Sequence, residues 1–185
     1  MKKILLYGVP EPQADRYQNI AANEDIAMYT IGDEELDQTI EKLFETQDDL
    51  NNKADAFASP YMLMQEIEVP ELLKLVRLFK QNDLEFEGIK VMKTPTNSSW
   101  TLRALLEEAQ RENEVAKKTV VLRELIKSCN GLDLSKMEAK EQHAFKETLM
   151  NAYLLLQSGQ YTGEALDEAI GALTQALRSC RKLYN

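Results

Sequence analysis

The five prolines of this 185-residue chain, Pro10, Pro12, Pro60, Pro70 and Pro95, all precede residue 96. Proline lacks a backbone donor and clashes with the preceding helical turn, so turns and helix starts accept it and helix interiors do not. The first half must therefore be assembled from short elements, whereas the 90 residues from Thr96 onward are free to form long helices.

Before that boundary, short apolar runs alternate with amphipathic ones. ILLYGV (4–9) reads as a strand covered on both faces, and IAMYTI (26–31), Tyr61–Gln65 and IKVMK (89–93) read as three more. Ala14, Tyr17 and Ile20 with Ala21 recur at helical spacing between the first two. A second helix is expected after Gly32, capped by Asp33 and burying Leu36, Ile40, Leu43 and Phe44. A third opens at Pro70 and turns Leu72, Leu75 with Val76, and Phe79 to one side. Such alternation predicts an α/β fold, a small and mostly parallel sheet of about four strands flanked by helices.

Neither glycine nor proline interrupts residues 98–129, so one helix of about 30 residues is expected there, packing on the sheet first and then leading away past QREN (110–113). Asn130 and Gly131 end it. Ser135 to Gln157 reads as a helix with Met137, Phe145, Leu149, Ala152 and Leu156 on one face. The last helix carries Leu166, Ile170, Leu173, Leu177, Cys180 and Tyr184 at spacings of three and four, an apolar seam that can pack internally or on a second copy. These two form an antiparallel hairpin. The expected organisation is an α/β domain over 1–117 and a helical appendage over 118–185, through which a homodimer can form.

Residues 1–100 hold 10 Lys/Arg against 19 Asp/Glu, so the whole net charge of −9 lies in that half. Affinity for nucleic acid comes largely from cations neutralising phosphates, and no basic stripe exists, so nucleic acid is not an expected partner. No apolar stretch approaches the roughly 20 residues of a membrane span. The apolar run after Lys2 and Lys3 is shorter than the roughly 7–15 residues of a signal-peptide core. Cys129 and Cys180, far apart in helical segments, suit reduced thiols. A cytoplasmic protein is expected.

One stretch stands out as a candidate ligand site, KTPTNSSW (93–100), which follows a strand and opens a helix. Loops at the carboxyl ends of parallel strands gather ligands, and free amides at a helix start attract anions. Lys93, Thr94, Thr96, Asn97, Ser98 and Ser99 supply donors, and Trp100 a stacking surface. A structural turn explains many of the same letters, with Asn97 or Ser98 as helix cap and Trp100 opening the buried face. YGVPEP (7–12) is expected on the same edge of the sheet and suits a turn better than a phosphate cradle.

Catalytic and metal chemistry find no support. There is no GxxxxGK[ST], GxGxxG or GxSxG, so no cofactor is expected. Setting Asp49, Asn51, Lys53 and Asp55 against a calcium loop puts lysine where an oxygen ligand belongs. The lone histidine, His143, and two scattered cysteines make no zinc set.

From about Tyr61 to Lys117 the order of pieces, YMLM, then PELLKLVRLFKQ, then IKVMKTPTNSSWTLRALLEEAQREN, resembles an uncharacterised bacterial family described as domain of unknown function 3783. Thr94, Pro95, Thr96, Asn97 and Trp100, followed by Leu102, Leu105 and Leu106, carry the resemblance, which covers about a third of the chain. It implies a small cytosolic bacterial protein and no activity. A looser likeness to receiver-type signalling domains lacks the phosphoryl-accepting aspartate, since the YMLMQ strand ends in Gln65.

The functional expectation is a non-enzymatic ligand- or protein-binding or regulatory module. Its partner is a protein or a small anionic ligand at 93–100. Two alternatives stand beside it: a hydrolase or transferase acting on a small phosphorylated metabolite at that loop, and a structural self-association module.

Overall fold

The strand KILLY is buried at all five positions because both faces of the sheet are covered. A computed structural model describes residues 1–50 and 53–182, with side chains as far as Cys180. The chain forms two units, Met1–Gln110 and Arg111–Asn185, divided within one long helix that also holds the expected boundary at 117–118.

In the first unit β1 (Lys3–Tyr7), α1 (Glu11–Ala22), β2 (Ala27–Ile31), α2 (Ile40–Leu43), β3 (Tyr61–Gln65), α3 (Val69–Gln81) and β4 (Ile89–Met92) precede the start of α4 (Leu102–Ser128). The sheet is mixed, with order β2-β1-β3-β4. β1 pairs with β2 and β3 with β4 in parallel, whereas β1 and β3 run antiparallel. The reason lies between Ile31 and Tyr61. After β2 the chain crosses to the amino end of β1, where the Phe44 carbonyl accepts from Lys3, and then returns beside β2, where the Leu50 amide meets the Thr30 carbonyl and the Asp33 amide the Lys53 carbonyl, so β3 starts where β1 and β2 end.

Alternate residues feed two cores. Ile4, Leu6, Met28, Met62 and Met64 pack with Tyr17 of α1 and with Leu75 and Phe79 of α3 on one face. Leu5, Tyr7, Ile31, Tyr61 and Leu63 pack with α2 and with Leu102, Leu105 and Leu106 of α4 on the other. The sequence assigned both helix faces well, except that Val76 is 38% exposed. The helix expected from Asp33 to Phe44 is broken into a 3-10 turn at Asp33–Glu35 and the four residues of α2, although its four apolar residues are buried as expected. Asp33 does not cap it. Its carboxylate is taken by the Tyr7 hydroxyl and the amides of Asp55 and Ala56, which hold the segment leading to Phe57.

The β2 edge is covered in part by the segment that follows α2. At β2 the Thr30 amide donates to Asp49 Oδ1 at 2.7 Å and the Leu50 amide to the Thr30 carbonyl at 3.0 Å. Unpaired strand edges invite association with other chains, and these contacts remove the template.

In the second unit α5 (Ala139–Ser158) and α6 (Gly163–Lys182) pack with the distal part of α4. α5 starts four residues later than expected, yet Met137, Phe145 and Ala152 are buried. On α6, Leu166, Leu173, Leu177 and Cys180 are buried within this core and Ile170 is partly so, which assigns the seam to internal packing. Tyr184 lies outside the described residues. No helix among the described residues is long and apolar enough to cross a membrane.

Candidate functional site

Two threonines set the geometry of the 93–101 turn. Thr39 and Thr101 face each other across an isolated antiparallel bridge, each directly before a helix. The helix starts exchange carbonyls across it. The α2 amides of Ile40 and Glu41 donate to the carbonyls of Trp100 and Ser98, each at 2.9 Å. The α4 amides of Leu102 and Arg103 donate to the carbonyls of Gln38 and Leu36, also at 2.9 Å. Thr39 and Thr101 complete the set by accepting from Lys42 at 3.4 Å and Ala104 at 3.3 Å. The orphan donors that open every helix are thus matched between two helices that both pack on one face of the sheet.

The turn itself is braced on β4. Asn97, 9% exposed, gives its Nδ2 to the Met92 carbonyl at 3.0 Å and takes the Thr94 amide on Oδ1 at 2.8 Å. Its own amide donates to Thr94 Oγ1 at 3.2 Å. Ser98 Oγ donates to the Pro95 carbonyl at 3.0 Å. Lys93 Nζ donates to Gln65 Oε1 at 2.9 Å and sits 5.4 Å from the centre of the Phe44 ring.

Thr96 and Ser99 are exposed and have no hydrogen-bond partner among the described residues. Trp100 is 37% exposed, so it does not open a buried face as expected. The cap is also reassigned, because the α4 start lies at Leu102 and Thr101 supplies the side-chain oxygen expected of Asn97 or Ser98. Sequence reasoning missed Thr101 and Thr39, yet a signal was present: QTIEKL (38–43) and WTLRAL (100–105) share threonine, an apolar residue, two others and leucine.

The turn lies beside the amino end of β1. Lys3 pairs with Gln65 across the sheet, and Met64 with Met92. Lys3 is 3% exposed, its ammonium bonded to the Phe44 carbonyl at 2.6 Å, and burial, then the charge of Lys93, lowers its pKa. YGVPEP lies at the opposite end of the sheet, where Tyr7 pairs with Tyr61, which corrects the shared edge expected for the two loops. The expectation placed both loops at carboxyl ends of strands running the same way, and the one antiparallel pairing, of β1 with β3, separates them. Among the described residues no cluster of His, Cys, Asp and Glu is arranged to hold a metal ion.

This geometry defines a mixed α/β sheet unit with a braced turn, followed by a helical unit. Residues 60–115 match the model of a family described as a domain of unknown function, DUF3783. The matched segment takes in β3, α3, β4, the turn and the first half of α4. No curated protein and no solved structure matches the chain.

Proposed function

We propose that this chain is a cytoplasmic, non-enzymatic binding module whose 93–100 turn docks on a partner protein. The observation that carries this reading is the division of labour within the turn. Asn97, Ser98 and the amides at the α4 start are spent on its shape, while Pro95, Thr96, Ser99 and Trp100 face solvent. A partly exposed tryptophan on a preorganised support, ringed by hydroxyls, has the makeup of an interface hot spot. An anion would want the helix-start amides, and those of Leu102, Arg103 and Ala104 already have acceptors. That weighs against the alternative of an enzyme for a phosphorylated metabolite, whose remaining cation would be Lys93. The cytoplasmic setting is supported by two buried, unpaired thiols, Cys129 and Cys180.

A photoreactive amino acid at Thr96, introduced in the source cell, tests the reading. A discrete protein adduct that disappears in Trp100→Ala supports it, and the absence of any adduct dependent on Trp100 overturns it. The sole tryptophan offers a second arm. Quenching of its fluorescence by phosphate or phosphorylated metabolites, lost in Lys93→Ala, would favour the enzyme instead.

A further inference from the structure

β4 is an outermost strand of the sheet, so one of its edges has no neighbouring strand. Its hydrogen bonds show which backbone groups are left over. The Ile89 amide donates to the Pro60 carbonyl at 2.9 Å and the Lys93 amide to the Met64 carbonyl at 2.7 Å. Backbone groups alternate in direction along a strand, so Ile89, Val91 and Lys93 turn theirs to β3 while Lys90 and Met92 turn theirs outward.

Of these outward groups, the Met92 carbonyl accepts from Asn97 Nδ2 at 3.0 Å. The Lys90 amide, the Lys90 carbonyl and the Met92 amide have no partner among the described residues. The β2 edge differs, because there both the amide and the carbonyl of Thr30 are engaged by Asp49 and Leu50. Free donors and acceptors at strand spacing are a template for one more strand.

One flank of α3 lies over this edge. Glu71 and Lys74 are ion-paired with Lys2 and Glu24, so their side of the helix faces α1 and the start of β1. Val69, Leu73, Val76 and Lys80 follow at spacings of four, three and four, which puts them on the opposite side, toward the edge of β4. Val69 and Leu73 are 69% and 60% exposed, and Val76 and Met92 are exposed too. Single exposed apolar side chains are ordinary, but four beside an open strand edge make an interaction surface.

From this arrangement we infer that the β4 edge takes an extended segment of a partner protein as a fifth, antiparallel strand, using none of the solvent-facing residues of the turn. The segment's residue opposite Lys90 exchanges both backbone hydrogen bonds, and its residue opposite Met92 accepts one more. Side chains of opposed residues share a face, so these two residues lie toward Val69, Leu73, Val76 and Met92 and are apolar. Asn97 ends the pairing, since the Met92 carbonyl is already taken. A second copy of this chain is the poorer occupant. Pairing Lys90 with its own copy across a two-fold axis sets like charges side by side, and pairing Lys90 with Met92 loses both bonds to the capped Met92 carbonyls.

A synthetic peptide of alternating valine and threonine, closed by two glutamates for solubility, tests the edge by amide NMR of the full chain. The Lys90 and Met92 amide signals should shift saturably and exchange with solvent more slowly, while that of Thr30 stays in place. Methylating the valine nitrogens deletes the donor to the Lys90 carbonyl and should weaken binding about tenfold or more. Met92→Pro removes an outward donor and no bond to β3, a place where an edge strand accepts proline, and should weaken binding similarly. Leu73→Ser/Val76→Ser, altered only at exposed positions, should weaken it as well. No saturable shift at Lys90 and Met92, equal binding of the methylated peptide, or undiminished binding by both variants overturns the inference. Shifts at these amides that grow with protein concentration before any peptide is added also overturn it, by assigning the edge to a second copy.

Discussion

The side-chain amide of Asn97 occupies the free edge of β4 beside Met92, donating to the Met92 carbonyl at 3.0 Å while accepting the Thr94 amide at 2.8 Å. One primary amide thereby does what a neighbouring strand would do for two backbone groups. Asn97→Ala removes both partners at once, and each lost hydrogen bond is worth about 0.5–1.5 kcal/mol at these part-buried positions. Asn97→Asp keeps an acceptor for Thr94 but sets a carboxylate against the Met92 carbonyl, so it should also lose stability. Urea denaturation of the three proteins measures this. A loss below about 0.5 kcal/mol in Asn97→Ala, the scale of an ordinary surface change, would mean that Asn97 does not hold the turn.

The helix cap is tested separately. Thr101→Ala should cost about 0.5–2 kcal/mol, the range for a lost N-cap. Ser98→Ala removes only the exposed contact with the Pro95 carbonyl and should stay within about 0.5 kcal/mol. The reverse order in thermal or urea unfolding would return the cap to Ser98.

How much of this was legible follows from what each signal encodes. Apolar periodicity located all four strands and the buried faces of α1, α3 and α6, because burial on a face is what periodicity reports. Strand direction was not legible, since YMLMQ reads equally well either way and it is the return of the chain past Leu50 beside β2 that reverses it. The turn was found by its polar letters, but Thr94, Asn97, Ser98 and Thr101 can each cap a helix. The choice among them depends on the Thr39–Thr101 bridge, a contact 62 positions apart in sequence. Asp33 misled for the same reason: a residue well suited to cap a helix is spent on Tyr7.

Asp33 also gives a pH dependence. The hydrogen bond from Tyr7, then the amides of Asp55 and Ala56, hold its carboxyl below the ordinary 3.8. A depressed folded-state pKa contributes stability that is fully present above the unfolded value and is lost as pH falls through the folded one. The wild type should therefore lose this contribution only below about pH 4. Asp33→Asn should be less stable at neutral pH and show a smaller loss on acidification. Parallel acid-titration curves for the two proteins would show that the Tyr7 bond carries no pH-linked stability.

The helical unit separates core from surface within one hairpin. Leu173 is fully buried, so Leu173→Ala should cost about 2–5 kcal/mol through lost burial and a cavity. Because α6 spends its seam internally, self-association through the hairpin has to use another face. α5 offers one: Met150, Tyr153 and Leu154 are 56%, 48% and 53% exposed, at helical spacings that place them on one side. Met150→Ser/Leu154→Ser should leave unfolding within roughly 1 kcal/mol of the wild type, since neither residue fills the core. Sedimentation equilibrium then decides the role of this face. A wild-type dimer that the double variant dissociates assigns it to a homodimer, whereas a monomeric wild type removes the homodimer from consideration.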